Sequence, residues 1–590
     1  MMCDLYSEFD PAKYSCVVGI DFGTTYSGCS CVYVNDGVDE IFDITAWPRP
    51  GGSSYAKVPT ACLYAHDSKK LIAWGHDAIR KANDVNNKDI LVERFKLLLD
   101  SRIPASVKLP HGLKPLDVIA DYLTEFNKYI HDCFKRKFGV IYNKEKFRYC
   151  LTVPAMWDDY AKSLMREAAI RADIVTRLDN PNRLVLTSEP EAAALYCEKK
   201  SEQFKLTDGQ RFLVCDAGGG TVDLIVFEVT RTAGKKTIKE VTQGHGSSCG
   251  STFLDQNMRE VFKSRFGDLA EINKPTIDIM VNQFITSAKP GFENKDNEHF
   301  IVPAKIEMEG REMEEIGIVN GSLCVTVKEM REKVFDPIVK EITELILRQL
   351  NQTGGKIDAM FLVGGLGQSI FLYQCLTETF ADRINLIAVP QRGELAIVRG
   401  AVILGMNPEM ITHRVSRRTY GRIMADIFDA SKHPAENKYI DPAGYPRCSS
   451  CFKVFIYKGD TIRTDEYIES NFSYFYPGIP CLDLYVFDGD GDPPMLVTDP
   501  GSRLVTRCTM EKPVVPGAKA GDEVNICSRV YLGLTEICME NTILDKTYTF
   551  TSSFKDHELK STPKSIRASV THSTAFSTHS TLPSLSRNRR

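Results

Sequence analysis

Apolar residues along this chain fall into runs that change period several times, and two of the runs nearly repeat each other. Residues 17–28, VVGIDFGTTYSG, and 212–229, FLVCDAGGGTVDLIVFEV, each read as an apolar strand, an aspartate, a glycine turn with threonine, and a second apolar strand. Residues 15–34 are thus predicted to form two strands around a tight turn. VPTACLYA (58–65), FRYCLTVPA (147–155, stopped by Pro154) and RLVLTSEP read as further strands. Apolar residues at three- and four-residue spacing predict helices over 76–99, 114–138, about 158–172, 252–265, 275–288 and 328–351. EAAALY forms the body of another helix, capped by Ser188 or Thr187 with Pro190 in its first turn. IDAMFLVGGLGQS adds a strand and a glycine turn, and GELAIVRGAVILGM closes this region near residue 405. Strands alternating with helices at this spacing predict an α/β fold with mostly parallel pairing.

Beyond about residue 405 the texture changes to short apolar alternations with many Pro, Gly and Tyr, which predicts a β-rich domain over 406–550. Residues 551–590 are rich in Ser and Thr with few large apolar side chains, so they are expected to be disordered. The division is therefore an N-terminal arm (1–14), an α/β domain (15–405), the β-rich domain and the tail. A chain of 590 residues exceeds the size of one hydrophobic core and fits this multi-domain plan.

Composition narrows the function classes. Hydrophobic content of 43% and charged content of 25% are those of a globular protein, and the net charge of −4 argues against a nucleic-acid binder. Neither a secretory h-region nor a long apolar span is visible, so a cytoplasmic protein with 18 mostly reduced cysteines is expected. The tight pair Cys448 and Cys451, in CSSC, has no second pair or nearby histidine in sequence, and packing as small hydrophobes is its expected role. DGDGD (488–492) has Pro493 where a calcium loop needs glycine, so it reads as a solvated turn.

The echoed motif carries the chemistry. Gly23 lets backbone N–H groups face an anion, and Thr24 and Thr25 add hydroxyl donors. Asp21, at the strand end, suits a Mg²⁺ held through water. The second copy offers Asp216, then Gly218, Gly219, Gly220, Thr221 and Asp223. Two such hairpins facing each other would grip a polyphosphate from both sides, with a third glycine turn at Gly364 and Gly365 nearby. No G-x-x-x-x-G-K-[ST] and no helix-opening G-x-G-x-x-G appears, so a P-loop or dinucleotide fold is disfavoured.

GIDFGTTYSG, LTVPAMWDDYAKSLMREAA, LTSEPEAAAL, CDAGGGTVDLIVFEV and MFLVGGLGQS, in that order, resemble the motifs of the 70-kilodalton heat-shock chaperones within the actin-like ATPase superfamily. The resemblance covers about residues 15–405 and, with SRRTYG and a shortened β-rich domain, points to the divergent heat shock 70 kDa protein 12-like branch. It implies a two-lobed actin-like ATPase, a duplicated ribonuclease-H-like fold, binding ATP/ADP and Mg²⁺. It further implies that Asp21, Asp216 and Asp223 organise the metal and attacking water, and that Glu189 sits beside them. Pro154 would relay nucleotide state. In place of the family's lobe-I lysine, the ungapped match DAIR puts Arg80, a planar fork rather than a point charge, so hydrolysis is expected to be weak or absent. At the adenosine site TSAKP offers Thr286, Lys289 and Pro290, and Gln368 stands where the family has arginine.

Three readings stay open: an ATP-binding heat-shock-70-like protein with weak ATPase and a chaperone-like or adaptor role for protein clients or signalling partners, a small-molecule kinase on the same fold, and a non-hydrolysing nucleotide sensor or scaffold.

Overall fold

The computed structural model describes residues 9–551, apart from 38–39, 49–55, 85, 101, 103–106, 201–205, 297–298, 305–316, 441–443, 479–480, 510–514, 534 and 545. The tail expected to be disordered and most of the N-terminal arm lie outside the described residues. The chain divides into two compact units, residues 7–411 and a unit built on residues from 412 onward.

The first unit holds two sheets built to one plan. In the first sheet, β1 (Cys16–Phe22) is buried at every position. It turns tightly into β2 (Tyr26–Tyr33), which pairs with the short β3 (Phe42–Asp43). On its other side β1 runs parallel to β4 (Phe147–Val153), and β4 runs parallel to β5 (Leu184–Ser188). The second sheet repeats this with β6 (Arg211–Ala217), β7 (Val222–Thr232) and β8 (Lys235–Glu240) antiparallel in succession. There β6 runs parallel to β9 (Ile357–Val363), which runs parallel to β10 (Ile384–Ala388). The strand orders, β3-β2-β1-β4-β5 and β8-β7-β6-β9-β10, match position for position.

Helices cover these sheets. The sequence predicts α1 (Pro115–Phe138), α2 (Asp159–Arg171), α3 (Glu189–Lys200), α4 (Ser251–Phe266) and α5 (Asp336–Gln352), while α6 (Ile370–Phe380) and α7 (Ala396–Met406) are added by the structure. Ser188 caps α3 reciprocally: its hydroxyl accepts the Glu191 amide at 3.3 Å, and its own amide donates to the Glu191 carboxylate at 3.0 Å. The helix predicted over 76–99 is corrected. It runs only over Gly75–Ala82, because the Asn/Asp-rich stretch that follows bonds to its own backbone instead: the Asn86 amide donates to Asp84 and the Asp89 amide to Asn87. Ile90–Glu93 is a strand paired with Ala61–Tyr64, and Phe95–Leu99 is a tight 3₁₀ turn.

The two sheets are locked by an exchange of helices. Although α3 follows the first sheet in sequence, its Ala192–Cys197 segment packs on Phe212, Val214, Ile225 and Phe227 of the second. Conversely α7, at the end of the second sheet, lies against β1 and β4, where the buried Arg148 donates to the Gly405 carbonyl at 2.9 Å. Arg399 of α7 holds Asp43 of β3 through two bonds, 2.9 and 2.5 Å long.

The second unit is built from antiparallel strands. The strands β11 (Thr419–Ile427), β12 (Lys438–Ile440) and β13 (Pro446–Ile456), with β14 (Ile468–Phe475), β15 (Cys481–Phe487), β16 (Ser502–Thr509), β17 (Glu523–Tyr531), β18 (Cys538–Ile543) and β19 (Lys546–Thr551), form two sheets. Their orders are β12-β13-β11-β15-β16 and β14-β17-β18-β19. A core of Tyr420, Ile456, Leu484, Val505, Val530 and Met539 draws on both. The DGDGD turn is ion-paired to protein cations: Asp488 to Arg418 and Arg503, and Asp490 to Lys458.

Candidate functional site

Matching sheets place matching hairpins, and the helix exchange turns their tips toward each other. The first tip, Gly23–Thr25, is braced by the segment after it: the Thr60 hydroxyl donates to the Gly23 carbonyl at 2.8 Å and the Thr60 amide to the Thr25 carbonyl at 2.8 Å. The second tip is held by the Gly-Ser stretch leading into α4. There the amides of Gly250, Ser251 and Thr252 donate to the carbonyls of Gly220, Gly218 and Gly219. A Cβ added at Gly219 would lie 2.2 Å from the Thr25 hydroxyl, and one at Gly220 would lie 2.7 Å from that of Thr24. The absence of a side chain there is therefore what lets the two tips meet.

Behind the tips, four acids converge: Asp21, Glu189, Asp216 and Asp223, all buried. They act on one another. Burial, then the charges of Glu189, Asp223 and Asp21, raises the Asp216 carboxyl well above its usual 3.8. Burial, reinforced by the charge of Glu189, pushes Asp223 up to about 7. Glu189 is also raised, by burial first, with Lys96 opposing and Asp21 adding. One Asp216 oxygen and both Asp223 oxygens have no hydrogen-bond partner. Orphaned buried carboxylate oxygens are costly, and a bound cation is the common way of satisfying them. No three of the four acids bring oxygens within 4.8 Å of one another.

Two lysines that sequence reasoning did not single out neutralise part of this charge. Lys57 donates to Asp21 at 2.6 Å, with both side chains nearly buried. Lys96 donates to Glu189 at 2.5 Å, lies 3% exposed, and sits within 6 Å of the rings of Phe22 and Trp157. The one sequence signal was Lys96's position inside the apolar run RFKLLL, where a lysine has no reason to be unless it is paired. Arg80 is placed elsewhere. It is half-exposed on its short helix, and its guanidinium is held by Asp77 at 3.1 and 3.2 Å. The cations that bear most on the acids are Lys57, Lys96 and Arg102, so the position assigned to Arg80 by the ungapped match is corrected.

Of the remaining sequence candidates, Gly364 joins the cluster. Its φ is +80°, and a Cβ there would lie 2.6 Å from Asp216 Oδ1, so only glycine serves. Gly365 next to it faces open space. Lys289 is tied to Asp255 at 2.6 Å. The Thr286 hydroxyl bonds back to its own helix, and Gln368 reaches the Gly364 carbonyl at 3.5 Å.

The raised acids predict a pH signature. In the folded chain Asp223 holds a proton that the unfolded chain releases from about 3.8 upward, up to about 7. Stability is therefore lost as pH rises through that window. Asp223→Asn removes the loss, so its gain in melting temperature over the parent is expected to be larger at pH 8 than at pH 5. Thermal denaturation at the two pH values, without added divalent cation, reads this; an equal gain at both refutes it.

Comparison with known proteins gives relatives along most of the chain. A family described as "Domain of unknown function (DUF8340)" matches residues 206–357. Heat shock 70 kDa protein 12A of Mus musculus is 26% identical over 586 residues, covering 84% of this chain and 85% of that protein. Heat shock 70 kDa protein 12B of Homo sapiens is 25% identical, covering 85% and 84%. Chaperone protein DnaK of Metamycoplasma hominis is 26% identical over 421 residues, covering 69% of this chain and 62% of its own. No helix among the described residues is long and apolar enough to cross a membrane.

Proposed function

This chain belongs to the 70-kilodalton heat-shock protein family, and on that premise we propose that its first unit is a two-lobed actin-like fold that binds ATP or ADP with Mg²⁺ and hydrolyses ATP weakly. The observation that carries this reading is the closure of two glycine hairpins over four buried acids, two of which, Asp216 and Asp223, have orphaned oxygens.

In this reading the backbone N–H groups and hydroxyls of Gly23–Thr25 and Gly218–Thr221 receive the phosphates, while Gly364, Gly365 and Lys289 lie toward the adenosine. Asp21 and Asp216 would hold the cation through its water shell. When bound, Mg²⁺ supplies charge neutralisation at the phosphate oxygens. Asp223 and Glu189 are the groups fit to orient and deprotonate an attacking water, since a carboxyl near 7 is close to the optimum for a general base at neutral pH. Lys57 and Lys96, rather than Arg80, supply the fixed positive charge. Because each is already committed to a carboxylate, little of that charge is free to follow a transferring phosphoryl group, which supports weak turnover. The β-rich unit we assign to a chaperone-like or adaptor role in the cytoplasm, a setting that suits the free thiols of the described residues, most of them buried.

Titration calorimetry with Mg-ATP on the intact chain tests the reading. Binding is expected for the parent and at least about tenfold weaker binding for Asp216→Ala, the scale of losing one group that holds a cation. Equal heats from the two proteins, or none from either, overturn it.

A further inference from the structure

The CSSC pair sits in the second unit on β13, where a straight strand would send residues three apart to opposite faces. The strand is not straight. Ser450, between the cysteines, has φ +65°, a left-handed conformation that a non-glycine residue adopts at a cost of roughly 1–2 kcal/mol. The pairing of β11 with β13 also shifts register there, between Met424/Cys451 and Asp426/Cys448. The kink brings both sulfurs to one side. Into the same space comes His433, fifteen residues before Cys448, from the loop that leads out of β11. One ring nitrogen of His433 and the two sulfurs all lie within 4.8 Å of one another, and they are the one such trio among the described residues. The pair that sequence spacing left without a histidine therefore has one.

We propose that His433, Cys448 and Cys451 form a zinc(II) site with its fourth position open to solvent. Two thiolates and an imidazole are the donor set zinc favours, at about 2.3 Å to sulfur and about 2.0 Å to nitrogen. A tetrahedron with those bonds has edges of about 3.5 to 3.8 Å, so ligands within 4.8 Å need to close by no more than about 1.3 Å. Cys448 is fully buried and Cys451 nearly so, while His433 is half-buried and gives the entry path. Phe428 and Leu496 wall the site. Asp426 adds negative charge beside Cys451.

Two hydrogen-bonding features of the site bear on how it would take a metal. The thiols donate weakly to backbone carbonyls, Cys448 to Ser449 and Cys451 to Cys448. The His433 Nδ1 accepts the Asp429 amide at 3.0 Å. A ring bound through Nε2 would carry its proton on Nδ1, and a ring bound through Nδ1 would have no lone pair left, so either mode displaces that bond and re-seats the 428–433 loop. Zinc would then fasten this loop to β13.

The test uses the full chain, without a histidine tag, purified under reducing conditions. Metal analysis after dialysis against zinc is expected to give about one zinc per chain, and close to none for His433→Ala and Cys451→Ser. Cys538→Ser, a buried cysteine on β18, should keep its zinc. Because the variants could lose metal simply by unfolding, cobalt(II) is also titrated into the parent protein. A thiolate-to-cobalt charge-transfer band with intense tetrahedral visible bands supports the site; a weak octahedral spectrum overturns it. Sub-stoichiometric zinc in the parent, or zinc unchanged in both ligand variants, overturns it as well. So does a Cys448–Cys451 disulfide whose reduction leaves a chain that takes up no zinc.

Discussion

Lys96→Met is expected to cost the first unit about 3–5 kcal/mol at neutral pH, the usual penalty for leaving one partner of a buried ion pair uncompensated. The side chain is 3% exposed and its ammonium lies 2.5 Å from Glu189, so no water takes its place when it goes. The penalty also has a sign in pH. Burial already holds Glu189 above its usual 4.5, and Lys96 is the largest influence pulling it down. Without Lys96 the carboxyl keeps its proton further up the scale in the folded chain, so the loss grows as pH rises above about 4.5. Adding Glu189→Gln should restore most of the stability, because a neutral amide of similar shape no longer needs a counter-charge. Denaturant unfolding of the parent, the single variant and the double variant at pH 5 and pH 8 measures all of this. A Lys96→Met loss that is independent of pH, or a double variant less stable than the single one, would show that the pair does not carry this charge balance.

The second large effect is expected at Gly400→Ala. An added Cβ would lie 1.7 Å from the Ala192 carbonyl oxygen and 2.3 Å from its carbon. Both obstacles are backbone of α3, so no rotamer change relieves them, and α7 must move away from α3 by more than 1 Å. Overpacking of this kind costs about 1–3 kcal/mol and sometimes more, and a clash of backbone on backbone belongs at the upper end. Because α3 and α7 are the helices the two sheets exchange, the same shift would also loosen the meeting of the two hairpins, and Mg-ATP binding should weaken along with stability. Gly365→Ala is the control: φ is −68° and no atom lies within 4 Å of the new Cβ, so stability should change by less than about 0.5 kcal/mol. A Gly400→Ala protein as stable as the control would mean that α3 and α7 do not pack as described.

These two residues lie on either side of the limit of what a sequence can disclose. The echoed hairpins were legible because everything they need is local: an apolar strand, an aspartate at its end, glycine at the turn, a second apolar strand. The long helix α1 was legible for the same reason, its buried face repeating every three to four residues. The stretch 76–99 was misread because a helical period continued across it on paper, while its Asn and Asp side chains bond locally and end the helix. Arg80 was misassigned because a match without gaps counts positions, and that stretch changes direction twice between Gly75 and Leu99.

By itself, the sequence determined the two strand-turn-strand units, the change from α/β to β-rich texture near residue 405, and the presence of aspartates at both turns, since each depends on neighbours within a few residues. Only the tertiary structure decided which cations face those aspartates, where α7 rests, and that a histidine meets Cys448 and Cys451. The first two depend on contacts between residues 36, 93 and more than 200 positions apart, and the third on a kink that turns two cysteines to one side of a strand; a burial that either neutralises a charge or leaves it costly is a property of the surrounding volume, which no local spacing encodes.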